Sequence, residues 1–232
     1  TGPEDIFEGK EGLIDTLGGR WNLEKLMNGL GDKFKIIECS MKAFPTEALT
    51  HSPITATLKL IDDYGLKFED VEEVTVKTIS RAIDILADPQ KHRPSSKETA
   101  DHSLPYCVAA AIIDRQVTLD QFTEAKLSDE RILRFINKVK VLADPELERL
   151  FPELKSAIVE VICKGGKRYT CRIDYPKGDP RNRMSDEELL TKFGSNALPV
   201  VSEERQKTII KAVMNLEELS DIAQLMKLLI RK

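Results

Sequence analysis

Lys42 and His51 stand near the two ends of the stretch SMKAFPTEALTH (residues 40–51), with Phe44-Pro45 between them. Pro45 fixes its own φ and pushes Phe44 into an extended conformation, so Lys42 and Phe44 project from a stiff segment. His51 falls at the start of a helical pattern. A helix N-terminus offers free backbone N–H groups and the positive end of a dipole, both of which suit anions. A lysine, a histidine and a helix start together can hold a carboxylate. Local physics favours a plainer reading, a solvated lysine and a helix-start histidine with a local hydrogen bond, because surface lysines rarely have shifted pKa values.

Two further stretches carry reactive residue types. ETADHSLPY (residues 98–106) sets Asp101, His102 and Ser103 side by side. Adjacent residues seldom point at a common centre, so they do not read as a nucleophilic triad. Asp101 or Ser103 as a helix cap, with Pro105 in the first turn, is the better local reading. In YPKGDPRNRMSDEELLTKF (residues 175–193), Lys177, Arg181 and Arg183 lie in a Pro/Gly-rich loop. Such a loop can bind an anion, though it more often links two packed units.

Other chemistries lack their signatures. There is no G-x-G-x-x-G, no P-loop, no G-x-S-x-G and no H-E-x-x-H. Cys39, Cys107, Cys163 and Cys171 form no C-x-x-C pair, and no histidine stands at zinc-ligand spacing from them. They are expected to be buried free thiols, with no metal ligands among the site residues. The net charge of −4 gives no pull toward nucleic acid or anionic membranes. No apolar run approaches the ~20 residues of a membrane helix, and TGPEDIFEGKEG does not read as a signal peptide. A cytoplasmic location is expected. The chain starts with Thr1 rather than Met, as the interior of a longer polypeptide or a trimmed chain would.

The elements that must position these residues follow from periodicity. Residues 1–19 read as one or two helical turns broken by glycines, and KFKIIEC (33–39) as a short strand. Ile54, Leu58 and Ile61 mark a helix that Gly65 stops. VEEVTVKT (71–78) alternates as a half-buried strand. Residues 88–99 read as a polar loop and 106–113 as a buried helix. Thr118 and Gln121 form a capping box. Ser128 is expected to cap a helix with the stripe Ile132, Phe135, Ile136 and Val139. Residues 156–175 read as a hairpin turning at KGGK. Beyond it, Ser185 with Glu188, and then Ser202, cap two of the closing helices. A mixed middle with helical ends is α+β.

Four of these stretches, in this order, resemble the MmgE/PrpD family, which contains 2-methylcitrate dehydratase and relatives such as cis-aconitate decarboxylase. They are TGPEDIFEGKEG, KAFPTEALTH (K-x-[FY]-P followed by His), TADHSLPYCVAAA, and YPKGDPRNRMSDEELLTKF (P-x-G-x-x-x-N-x-M…E-L…KF). The last two are specific in combination. Arg183 departs from the pattern, where the family often has proline. The resemblance covers essentially the whole chain but only the C-terminal half of the family. It implies an α+β lid at 31–180, with 1–30 and 181–232 belonging to a larger all-helical domain. It implies an active site between lid and helical domain, with Lys42 as a catalytic and substrate-binding cation. His51 matches the family's downstream histidine as a second catalytic residue, and His102 a substrate-binding one. The implied reaction is a cofactor-free dehydration of a hydroxy tricarboxylic acid such as 2-methylcitrate. Decarboxylation or epimerisation of a similar acid is the alternative, as is a non-catalytic fragment or subunit that needs a helical partner half. The family's aspartate and histidines from its N-terminal half have no counterpart here. A homodimer is implied for the full-length protein, with a small polycarboxylate as substrate.

Overall fold

The computed structural model describes residues 5–230, so the start of TGPEDIFEGKEG and the last two residues of the expected helical segment at 181–232 lie outside the described residues. The chain divides into two compact units, Thr1–Cys39 and Ser40–Lys232. The first holds two short helices, α1 (Leu13–Leu17) and α2 (Leu23–Met27), the latter capped by Asn22, whose side chain accepts from Lys25 N. The strand expected at 33–39 is instead a 3₁₀ turn, Lys35–Glu38, with Ile36 and Ile37 exposed. A lone strand needs a neighbour to pair its backbone, and among the described residues this stretch pairs with none: its hydrogen bonds are local turns.

The second unit is built on a four-stranded sheet of order β2-β1-β3-β4, from β1 (Val71–Thr78), β2 (Val139–Ala143), β3 (Ala157–Cys163) and β4 (Arg168–Ile173). β1 pairs parallel with β2 and antiparallel with β3, and β3 pairs antiparallel with β4. The register aligns Val141, Val76, Val159 and Cys171 in one row and Val139, Val74, Val161 and Tyr169 in another. Side chains in such rows lie on one face of the sheet and pack across it. The hairpin turns at Gly165 and Gly166, both at positive φ. β4 exposes its arginines and half-buries Tyr169, Cys171 and Ile173, as the alternation predicts.

Helices follow in chain order: α3 (His51–Tyr64), α4 (Ser80–Leu86), α5 (Lys97–Asp101), α6 (Leu104–Asp114), α7 (Glu124–Leu127), α8 (Glu130–Ile136) and α9 (Pro145–Leu150). After the hairpin come α10 (Asp186–Ala197), α11 (Glu203–Met214) and α12 (Ala223–Leu229). α6 is apolar on every side and buries Leu104 through Ile112. It lies among α3, α8 and β2, while α3 also covers β3 and β4. A helix hydrophobic all round needs such enclosure. Gly65 ends α3 in the left-handed region, its N–H donating to Ile61 O. The fold is α+β.

Three local expectations change. Val139 does not continue the stripe of α8 but opens β2, where VKVL finds the edge of β1. The cap of α8 is Asp129, which accepts from Arg131 N, while Ser128 closes α7. Part of the polar loop at 88–99 is helical, because Ser96 and Thr99 form a capping box that starts α5. Of the cysteines, Cys107 and Cys163 are buried, Cys171 is half-buried and Cys39 is exposed.

Candidate functional site

The loop 40–51 is organised around Thr46. Its carbonyl oxygen accepts from Lys42 Nζ at 2.9 Å and faces His51 Nε2 at 3.4 Å. A carbonyl only accepts, so the imidazole presents N–H at Nε2. Thr50 Oγ1 lies 2.7 Å from the Thr46 hydroxyl and 2.7 Å from the Glu47 carbonyl, to which it donates. Phe44 meets the His51 ring edge-on, with centroids 5.4 Å apart.

The helix start does not stand open to an anion. A 3₁₀ turn, Ala48–Thr50, leads into α3, and the Glu47 carboxylate accepts from Leu49 N at 2.6 Å. The chain's own carboxylate takes the place that the local pattern offered to a ligand.

Two other segments clamp this loop. Met41 N donates to Gly178 O at 2.9 Å. Gly178 has φ +92°, and a Cβ there would stand 2.0 Å from Met41 O, so only glycine permits this approach. From α10, Lys192 Nζ donates to Lys42 O. Ser185 starts α10 through a reciprocal capping box with Glu188, and that phase of the helix carries Lys192 to the loop.

Beside the loop opens a cavity of about 810 Å³, a size typical of small-ligand sites. Phe44, Pro45, Leu58, Val117 and Ile173 supply apolar wall. Its cations are Lys42, Lys59, Arg115, Lys177 and Lys192. Three carry carboxylate partners: Lys59 with Asp63 at 2.9 Å, Arg115 with Asp62 at 3.1 Å and Lys177 with Glu188 at 2.9 Å. Among the described residues, Lys42 and Lys192 have no such partner and donate to backbone carbonyls.

The other predicted residues are placed differently. His51 is 4% exposed and does not line the cavity. Burial pulls its pKa down to about 4, against the Thr46 hydrogen bond that raises it, and the charges of Lys42, Lys192 and Lys155 lower it further. His51 is therefore neutral near pH 7. His102 also lies outside the cavity lining. It is half-exposed, with Nδ1 2.6 Å from Asp101 Oδ1. Asp101 O accepts from Glu47 N at 3.0 Å, so the end of α5 is tied to the Lys42 loop. Ser103 turns away from its neighbours: it caps α6 by accepting from Tyr106 N and donates to Lys91 O. The Asp101-His102-Ser103 run is thus not a triad.

The basic loop at 175–184 is largely engaged with itself. Arg181 binds Asp179 and stacks on Tyr175, 4.1 Å from its ring centre, and Arg183 Nε donates to Pro180 O. The Arg181 hydrogen bond holds the Asp179 carboxyl below its usual range. Sequence reasoning passed over Lys192. The signal available was its place one turn after Glu188 on the helix capped at Ser185, on the face that carries Glu188.

The sequence matches the MmgE/PrpD C-terminal domain over residues 44–218. It is similar to cis-aconitate decarboxylase of Homo sapiens, 28% identical over 192 residues, covering 83% of this chain and 40% of that protein. It is also similar to cis-aconitate decarboxylase of Mus musculus (29% identical, 59% of this chain and 28% of that protein). Against cis-aconitate decarboxylase of Aspergillus terreus the identity is 26%, over 89% of this chain and 43% of that protein. The chain thus spans less than half of the length of these curated relatives. With three-quarters of its residues inside the matched domain, the chain belongs to the MmgE/PrpD family.

Proposed function

We propose that this chain supplies the carboxylate-binding wall of a lyase acting on small polycarboxylic acids, with decarboxylation of a cis-aconitate-like acid as its first reaction to test. The observation that carries this reading is Lys42, an ammonium without a carboxylate partner among the described residues, at the wall of a small-ligand-sized cavity. The names of the relatives support the choice of acid. Residues 31–180 would form the lid, with 1–30 and 181–232 as parts of a larger helical domain.

Loss of CO₂ from such an acid breaks a C–C bond and leaves the electron pair beside a remaining carboxylate. An ammonium held at that carboxylate stabilises the growing charge, more so where apolar walls exclude water. The pair is then quenched by a proton. His102, held by Asp101 on Nδ1, lies outside the lining of this cavity, so a role for it in substrate contact or that proton transfer would need a ligand that extends beyond the cavity. His51, buried and neutral, suits holding the Thr46 carbonyl in place.

Dehydration of 2-methylcitrate is the second reading. It also builds negative charge beside a carboxylate and so uses the same wall. Incubating the protein with cis-aconitate and, separately, with 2-methylcitrate, and following both by NMR, separates the two. Release of CO₂ with a dicarboxylic product supports the first. Turnover of neither acid by an assembly that contains this chain and a helical half like that of its relatives would sink both.

A further inference from the structure

We propose that Lys192 is the second arm of a two-ammonium clamp that, with Lys42, grips two carboxylates of one ligand, an assignment that rests on the polycarboxylate reading of the cavity. The two lysines come from segments far apart in the chain, a loop before α3 and the middle of α10. Lys192 Nζ donates to the backbone carbonyl of Lys42 itself, which brings the tip of one cation to the base of the other. Lys42 Nζ donates to Thr46 O. Both lysines line the same cavity.

The bookkeeping of donors and charges singles out this pair. An ammonium has three donors, and among the described residues each of these two has one acceptor. Both acceptors are neutral carbonyls, so neither charge is cancelled locally. The remaining lining cations are matched: Lys59, Arg115 and Lys177 each hold a carboxylate. The lining acids Asp62 and Glu188 are taken up in these pairs. Glu187 is the remaining lining carboxylate, in the first turn of α10, where the helix dipole favours it. The positive field of the two lysines reaches His51, whose protonation both disfavour. Two point charges with free donors suit two carboxylates on a flexible acid, and charge-assisted hydrogen bonds are the strong ones.

The test is binding by the 232-residue chain of propane-1,2,3-tricarboxylate and, as a one-carboxylate probe, butyrate, followed by titration calorimetry or NMR shifts. The clamp predicts that Lys192→Gln weakens the tricarboxylate at least tenfold and butyrate less than about threefold, and that Lys192→Arg restores most of the loss. A thermal melt of each variant controls for folding. Equal losses for both probes would make Lys192 a prop of the Lys42 loop and overturn the clamp. Weakening by Lys42→Gln with no effect of Lys192→Gln overturns the clamp and leaves the polycarboxylate reading standing. No preference of the wild-type chain for the tricarboxylate, with no effect of Lys42→Gln, overturns both.

Discussion

Lys42 and His51 share one acceptor, the carbonyl oxygen of Thr46, at 2.9 and 3.4 Å. The lysine reaches it from the cavity side and the histidine from the buried side. The two residues that the sequence proposes as a catalytic pair are therefore joined through backbone, and their environments differ. One is a charged group with donors to spare, the other a neutral ring locked in the packing.

Replacing Lys42 tests the charged half of that relationship. Lys42 is exposed and, among the described residues, its side chain makes a single local bond, so Lys42→Gln should change folding stability by less than about 1 kcal/mol. Turnover of a polycarboxylate by an active assembly containing this chain should fall by roughly a hundredfold or more, as for loss of one charge-stabilising donor. Initial rates for the purified variant, with a chemical melt beside them, check both halves.

His51 makes stability depend on pH. The folded ring resists protonation down to about pH 4, whereas the unfolded ring takes up a proton near 6.5. Between those values the unfolded state binds more protons. Stability should therefore be fully present above about pH 6.5 and fall as the pH drops toward 4, by at most about 3 kcal/mol from this residue. Carboxylates titrate near the lower end too, so the comparison is with His51→Gln. Its urea midpoints from pH 7 to 4 should decline less steeply than the wild type's.

Gly178 holds the turn-rich loop 175–184 against Met41. A Cβ there meets Met41 O at 2.0 Å, and the backbone is at φ +92°. Gly178→Ala should destabilise by about 1–3 kcal/mol from backbone strain alone, before the clash is counted. The shift should also disturb the anchoring of Lys42, so binding of a tricarboxylate should weaken in a variant that touches no ligand. Thermal melts and calorimetry report the two effects.

Thr50 and Tyr106 test the buried polar supports. Thr50→Val removes the hydroxyl that meets Thr46 and Glu47, and Tyr106→Phe leaves the Gln121 carbonyl without its 2.6 Å partner. Each side chain is fully buried. A loss of about 1–3 kcal/mol is expected in each case. Only Thr50→Val should also perturb the NMR signals of Lys42 and His51, because Tyr106 serves α6 and the turn Leu119–Phe122, not the loop.

Elements with their own internal signals were legible in advance. VEEVTVKT alternates and carries β-branched residues, and it forms β1 over the span read from it. KGGK turns the hairpin because two glycines accept positive φ there. The Thr118–Gln121 and Ser185–Glu188 capping boxes close within four residues, so no tertiary partner is needed to see them. β2 and the failed strand at 33–39 were not legible, since a strand is defined by the edge it pairs with. VKVLA found β1 as a partner and KIIE did not.

For the site, the sequence by itself determined which residues could matter: the lysine before Phe-Pro, the histidines, the family to which the motifs belong. The tertiary structure alone decided what each of them does. Burial made His51 neutral, Glu47 occupied the helix start, and the arginines of 175–184 were spent on their own loop. A hydrogen bond between positions 42 and 192 brought forward a lysine whose local pattern, one turn after Glu188, says nothing of the loop it reaches. Charge and exposure are properties of surroundings, and those surroundings come from segments that meet only when the chain folds.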